Sequence, residues 1–297
     1  VDPFGVTSDP ALYVPRLGTE AALAALRRGF TAGKRISVLS GPPGLGKTMV
    51  LHVFARDLTS ARARFLPYPA LAPDELAQLA LGAEEHADGE PALAALAQLA
   101  KRDPSRPLAL LIDDAGALPT TTSRELRKLV DQLGGALRVI AAVADEARSS
   151  ASIAALGDGI HHVRLKQPML AREVGTYVQR RLELAGLPAS SLHKQQIAWL
   201  AEESGGVPRV LNTLAARLLH TAFAIGSEVA PSERAAPGES GTRLGPPPAM
   251  SREPIAPRRA PVSAATRPDQ RAHTSTEAPR AGFLAWLRAL LPRFRRH

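Results

Sequence analysis

The sequence predicts an α/β protein: a three-layer αβα fold around a five-stranded parallel sheet, followed by a small helical lid. Three observations predict it. Short apolar runs alternate with helix-period stretches up to about residue 168, one of those runs ends in a glycine-rich loop at Gly41–Thr48, and from Ala171 the pattern becomes wholly helical. Strands that alternate with helices pair in parallel and are covered by helices on both faces.

The elements follow in order. Ile36-Ser37-Val38-Leu39 is a short buried strand that leads into the glycine loop, and a helix runs from about Lys47 to Leu58. Arg62–Leu66 is a second strand, and helical stretches follow at Pro73–Leu81 and Pro91–Lys101. Leu108-Ala109-Leu110-Leu111-Ile112 gives the strongest strand signal, five apolar residues in a row that end at Asp113-Asp114. Arg124–Leu133 reads as helix, Leu137–Val143 as a fourth strand and His161–Leu165 as a fifth. Three helices near 171–185, 190–203 and 208–225 are separated by the Gly-Leu-Pro and Gly-Gly-Val-Pro breaks. The chain divides on this reading into an αβα domain (1–168), a helical lid (169–226), a Pro/Arg-rich linker expected to be disordered (227–281) and a short basic amphipathic helix (282–297). No internal repeat is present.

Composition narrows the function classes. The chain has no cysteine, which excludes disulfides, thiol catalysis and Cys-ligated zinc within it. No run of 18 or more apolar residues occurs, so no spanning helix is expected, and the start VDPFGVTSDP lacks the charged and apolar blocks of a signal peptide. A cytoplasmic location follows as the expectation. Net charge is +9, but residues 227–297 hold 12 arginines against 6 acids, so two thirds of the excess lies in the tail. The same window contains 11 of the 26 prolines. Such a segment buries too little surface to offset its ordering entropy, and its charge reads first as a solvated linker.

The chemistry concentrates at Gly41-Pro42-Pro43-Gly44-Leu45-Gly46-Lys47-Thr48, which fits G-x-x-x-x-G-K-[ST]. The loop follows a strand and opens a helix, the context this pattern needs. Its glycines let backbone N–H groups turn inward around phosphates, where the helix N-terminus adds its positive end. These residues together with Met49 are therefore the expected ATP-binding set. Lys47 would reach the β- and γ-phosphates, and the Thr48 hydroxyl would ligate Mg²⁺. The run Leu108–Ile112 delivers Asp113 at a buried strand end, where a carboxylate can hold Mg²⁺ through water. Asp114 is then the candidate to polarise the attacking water.

On these residues the chain resembles the AAA+ ATPases, P-loop NTPases whose ExeA/GspA-like secretion branch is related to the transposition helper ATPases. The opening DPFGVTSDPALYVPR resembles that subfamily's N-terminal segment, Arg172–Gly186 is similar to its lid helix, and Gly205–Asn212 (GGVPRVLN) to its sensor 2 motif. The resemblance spans about Asp2 to Gly226. It implies that Arg209 reaches from the lid to the γ-phosphate and that copies of the chain associate into a homo-oligomer. Three departures matter. Asp114 stands where the family carries Glu, one methylene longer. The fourth strand runs Ala141-Ala142-Val143-Ala144-Asp145, without the family's polar amide. Asp158 and Gly159 occupy the positions where the family would offer an arginine finger, worth three orders of magnitude or more in rate. Arg148 and Arg164 are the alternatives. The expectation is an ATPase whose hydrolysis is weak or partner-dependent.

His161 and His162 are adjacent on a strand and point to opposite faces, so they do not chelate one ion; the pair reads as structural. The last segment GFLAWLRALLPRFRRH puts Phe283, Leu287, Leu290 and Leu291 near one helical face and arginines on another, as in an interfacial helix or a partner-docking segment. The expected role is assembly or remodelling of a secretion or envelope complex, with a peripheral contact at the inner membrane. The other readings are a nucleotide switch or scaffold, an ATP-dependent DNA-binding transposition helper, and a small-molecule kinase. The modest charge of the folded part weighs against DNA, and a sensor-2-like lid has no place in the kinase.

Overall fold

The computed structural model describes residues 2–5, 8–67, 69–82 and 91–228, with side chains omitted at 148–149 and 222–228. Five strands form one parallel sheet: β1 (Ile36–Gly41), β2 (Arg62–Leu66), β3 (Leu108–Ile112), β4 (Leu137–Ala144) and β5 (His161–Arg164), in the order β2-β3-β4-β1-β5. The predicted αβα architecture is therefore present. β1 and β3 are buried along their whole lengths, as expected for strands covered on both faces.

Helices α1 (Leu17–Thr31), α2 (Lys47–Asp57), α3 (Pro73–Leu81), α4 (Ala92–Lys101), α5 (Thr120–Leu133) and the single turn α6 (Ala151–Ala154) flank the sheet. Two apolar clusters fill its two sides. One gathers Val38, Leu110, Ile112 and Val139 from the strands with Leu76, Leu96 and Leu126 from α3, α4 and α5. The other packs Leu39, Leu111 and Ile140 against Leu23 and Leu26 of α1 and Val50, Leu51 and Phe54 of α2. The inward and outward residues of each strand thus separate cleanly, which fixes register. α5 begins at Thr120, earlier than the predicted 124, because Thr122 and Ser123 are buried and the Thr122 hydroxyl donates to Leu71 O at 2.7 Å. That tertiary bond offsets the low helix propensity of the Thr-rich turn.

α7 (Ala171–Leu184), α8 (Lys194–Ser204) and α9 (Pro208–Glu228) form the predicted helical bundle after the sheet. Their shared cluster includes Val174, Val178, Leu182, Leu200 and Leu211, and it also takes in Phe4 and Val14 from the N-terminal segment. The buried Arg181 of α7 ties that segment down, its Nε donating to Pro3 O at 2.6 Å and its Nη1 to Leu12 O at 3.1 Å. His161 of β5 packs against Gly29 of α1, with Nε2 3.2 Å from Ala25 O, in keeping with a structural histidine. The expected linker beyond residue 228 and the amphipathic segment 282–297 lie outside the described residues. Among the described residues no helix is long and apolar enough to cross a membrane.

Candidate nucleotide-binding site

The site sits where the carboxyl ends of β1, β3 and β4 meet the start of α2. Gly41 closes β1 opposite Ala144 of β4, and the loop Pro42–Gly46 leads into α2. Gly44 and Gly46 hold φ of +80° and +93°, a region that residues with a β-carbon avoid. That conformation turns successive N–H groups to one side of the loop, which makes a concave donor surface for an anion at a helix N-terminus.

Lys47 is folded back over this loop, its Nζ donating to Gly41 O at 2.7 Å and Pro42 O at 3.0 Å. Burial pulls its pKa below the usual lysine value; Asp113 and Asp145 oppose that shift, and Arg209 adds to it. The Thr48 hydroxyl donates to Asp113 Oδ2 at 2.7 Å. A hydroxyl and a carboxylate that converge in this way are an all-oxygen donor pair suited to a hard cation such as Mg²⁺. Asp114 is exposed, in the left-handed region at φ +47°, with its own N–H donated to Asp113 Oδ1 at 3.1 Å. Met49 is partly buried against the cluster that joins α1 and α2.

The lid reaches the loop through Arg209 near the start of α9. Its backbone N–H donates to Gly44 O at 3.3 Å, and its side chain is exposed. A β-carbon on Gly44 would lie 3.1 Å from both Arg209 Cβ and Val207 Cγ1, so lid and loop are in direct contact. Lys47, Thr48, Asp113 and Arg209 are thus brought together around Gly41–Thr48.

The loop that precedes β5 holds no free arginine at Asp158 and Gly159. Instead Arg127 of α5 pins it, Nη1 donating to Leu156 O at 2.9 Å and Asp158 O at 2.8 Å while Nε pairs with Asp131 at 2.6 Å. Arg164 is exposed on β5, and the side chain of Arg148 lies outside the described residues.

Three residues of the site escape sequence reasoning. Asp145 follows β4, acts on Lys47, and has a buried Oδ1 without a hydrogen-bond partner among the described residues. Its signal was available: like Asp113, it is an acid set directly after an apolar strand. Glu173 of α7 accepts from Leu17 N and Leu170 N, both at 2.9 Å, and so bridges the start of α1 to the start of the lid. Burial pushes its pKa up, but those two donors with Arg16 and Arg172 outweigh it and hold the carboxyl below its ordinary value. Arg16 is buried and donates from Nη2 to Leu45 O at 2.8 Å. Nothing in the local sequence marks the last two, whose partners lie far along the chain.

With this geometry in view, comparison with known proteins points to the same kind of domain. Residues 30–150 match the family model described as an AAA domain. That stretch, under half of the chain, contains the loop Gly41–Thr48 and the strand end at Asp113, and it is similar to an AAA domain. It is 26% identical over 245 residues to general secretion pathway protein A of Aeromonas hydrophila, an alignment that covers 76% of this chain and 44% of that protein. The resemblance to the ExeA/GspA type is in line with this match, and the chain spans less than half the length of that curated relative. Among solved structures the chain is similar to Cdc6p from Pyrobaculum aerophilum, with a TM-score of 0.55 at 20% identity over 76% of this chain and 66% of that one. The Walker-type ATPase paby2304 of Pyrococcus abyssi gives a TM-score of 0.52 at 14% identity over 77% of this chain and 76% of that one. The Orc1 protein of Aeropyrum pernix, solved in complex with DNA, gives 0.51 at 16% identity over 71% of this chain and 66% of that one. At these identities the likeness is one of fold.

Proposed function

We propose that this AAA+ chain binds ATP with Mg²⁺ between the loop Gly41–Thr48 and the lid, hydrolyses it slowly or on contact with a partner, and acts in the assembly or remodelling of a secretion or envelope complex. The observation that carries the reading is the convergence of Lys47, the Thr48–Asp113 pair and the lid residue Arg209 on one loop. Mg²⁺, when bound, supplies charge neutralisation between the phosphates. The chain's own groups do the rest. With nucleotide bound, Lys47 would exchange its two carbonyl partners for phosphate oxygens, Thr48 and Asp113 would hold the cation, and Arg209 would lead from the lid to the outermost phosphate. Asp114 orients the attacking water.

Slow or conditional turnover is supported by three features. Asp114 is a short acid in an exposed position. Asp145 places a second negative charge beside Lys47. Arg127 is engaged within its own chain through Nη1 and Nε. The secretion role rests on the similarity to general secretion pathway protein A, and the homo-oligomer on the family resemblance. The division into a nucleotide domain to about residue 168 and a lid to about 226 belongs to the same proposal. The test is ATP binding and phosphate release by the purified chain and by Lys47→Ala. Loss of both in the variant is expected, and equal binding by the two proteins would overturn the reading.

A further inference from the structure

The loop that would hold the phosphates has two outward-facing carbonyls with partners from elsewhere in the chain. Gly44 O receives the N–H of Arg209, and Leu45 O receives Nη2 of Arg16. The second partner is unusual. Arg16 is 7% exposed, and a β-carbon on Gly46 would lie 3.3 Å from its Nη2, so the guanidinium lies directly against the helix-opening turn. Among the described residues it forms no ion pair within 4.0 Å. The nearby groups that feel its charge are the side chains of Tyr177 and Tyr13 and the carboxylate of Glu173, the last already engaged by Leu17 N and Leu170 N.

A cation removed from water costs free energy unless an anion compensates it. A neutral carbonyl does so only in part. The same turn opens α2, and the N–H groups at a helix N-terminus are suited to receive negative charge. An arginine left under-compensated against such a turn is electrostatically matched to whatever fills that site.

We infer that Arg16 is a positioning residue for nucleotide phosphates: it holds Leu45 O, fixes the turn in its phosphate-accepting form, and adds a buried cation beside the half-buried Lys47. This rests on the nucleotide reading of the loop. The N-terminal segment thereby becomes part of the binding site rather than a packing strap. The affinity for a nucleotide then depends on a residue that lies outside the glycine-rich motif and touches no phosphate.

The test compares wild type, Arg16→Met and Arg16→Lys in the full chain, titrated with ATP, ADP and adenosine in Mg²⁺, with thermal unfolding of each without nucleotide. Arg16→Met keeps the length and apolar stem but removes the charge. It is expected to lose about tenfold in ATP and ADP affinity, keep adenosine affinity, and unfold without nucleotide no earlier than wild type. Arg16→Lys retains a buried cation and should recover most of the lost affinity. Wild-type-like ATP binding by Arg16→Met overturns the inference. So does a loss of ATP affinity that Arg16→Lys fails to recover while both variants melt early, since the residue is then only a structural cap. Failure of wild type itself to bind ATP instead removes the nucleotide reading, so the two failures are distinguishable.

Discussion

Replacing Gly44 by alanine isolates the contact between lid and loop. Gly44 sits at φ +80°, and an L-residue in the left-handed region costs about 1–2 kcal/mol. The added carbon also meets Arg209 Cβ and Val207 Cγ1, each at 3.1 Å, closer than the ~3.5–4.0 Å at which carbons attract. Either the loop or the start of α9 must shift. Gly33 provides the control, since it has φ +76° with nothing within 4 Å of its missing β-carbon. Gly33→Ala should therefore lose about 1–2 kcal/mol of stability by backbone strain alone and leave ATP affinity intact. Gly44→Ala should show the same loss and bind ATP about tenfold more weakly, because the lid no longer seats on the loop. Thermal unfolding together with titration of a fluorescent ATP analogue in Mg²⁺ reads both quantities. If Gly44→Ala and Gly33→Ala bind nucleotide equally well, the reasoning that couples lid to loop is wrong.

The other predictions concern single groups. Thr48→Ala should leave nucleotide binding in EDTA unchanged while it removes the gain that Mg²⁺ gives, a loss of about tenfold measured by titration with and without the metal. Asp114→Asn should lower steady-state turnover about a hundredfold with little change in ATP affinity, the pattern of a group needed for proton transfer alone. Asp145→Asn removes a negative charge beside Lys47 and should raise ATP affinity several-fold in the same titration; weaker binding would refute that electrostatic assignment. Glu173 is held below its ordinary pKa when folded, so its stabilisation is complete above the unfolded value and is lost as pH falls through the lowered one. Melting temperature followed downward through the carboxylate range should therefore fall less steeply in Glu173→Gln than in wild type.

Much of the fold is legible in the sequence because its signals are local. Leu108–Ile112 reads as a buried strand from five consecutive apolar residues, and it feeds both apolar clusters between β2 and β4. Gly41–Thr48 is legible because glycine at Gly44 and Gly46 meets a backbone requirement no other residue meets as cheaply. The four-residue α6 is not legible, since a single turn is too short to show a period. Glu173 and Arg16 are opaque for a different reason. Each acts across a large sequence separation, Glu173 on Leu17 and Arg16 on Leu45, and only the packed structure brings them together. Asp145 falls between these cases. Its position after an apolar strand matches that of Asp113, but comparison with the family's amide directs attention to what is missing rather than to the acid present.

The strand order bears on how the chain is made. β1 emerges from the ribosome before both of its neighbours, β4 and β5, and Ile36 finds its partner only at Val139, about a hundred residues on. At a synthesis rate of about 5–20 residues per second, the glycine loop waits roughly 5–20 seconds on a strand with no hydrogen-bonded flank. During that interval an apolar edge lies open to other nascent chains. Productive synthesis of this protein therefore rewards quick delivery of residues 137–144, or a chaperone that shelters the first strand until they arrive.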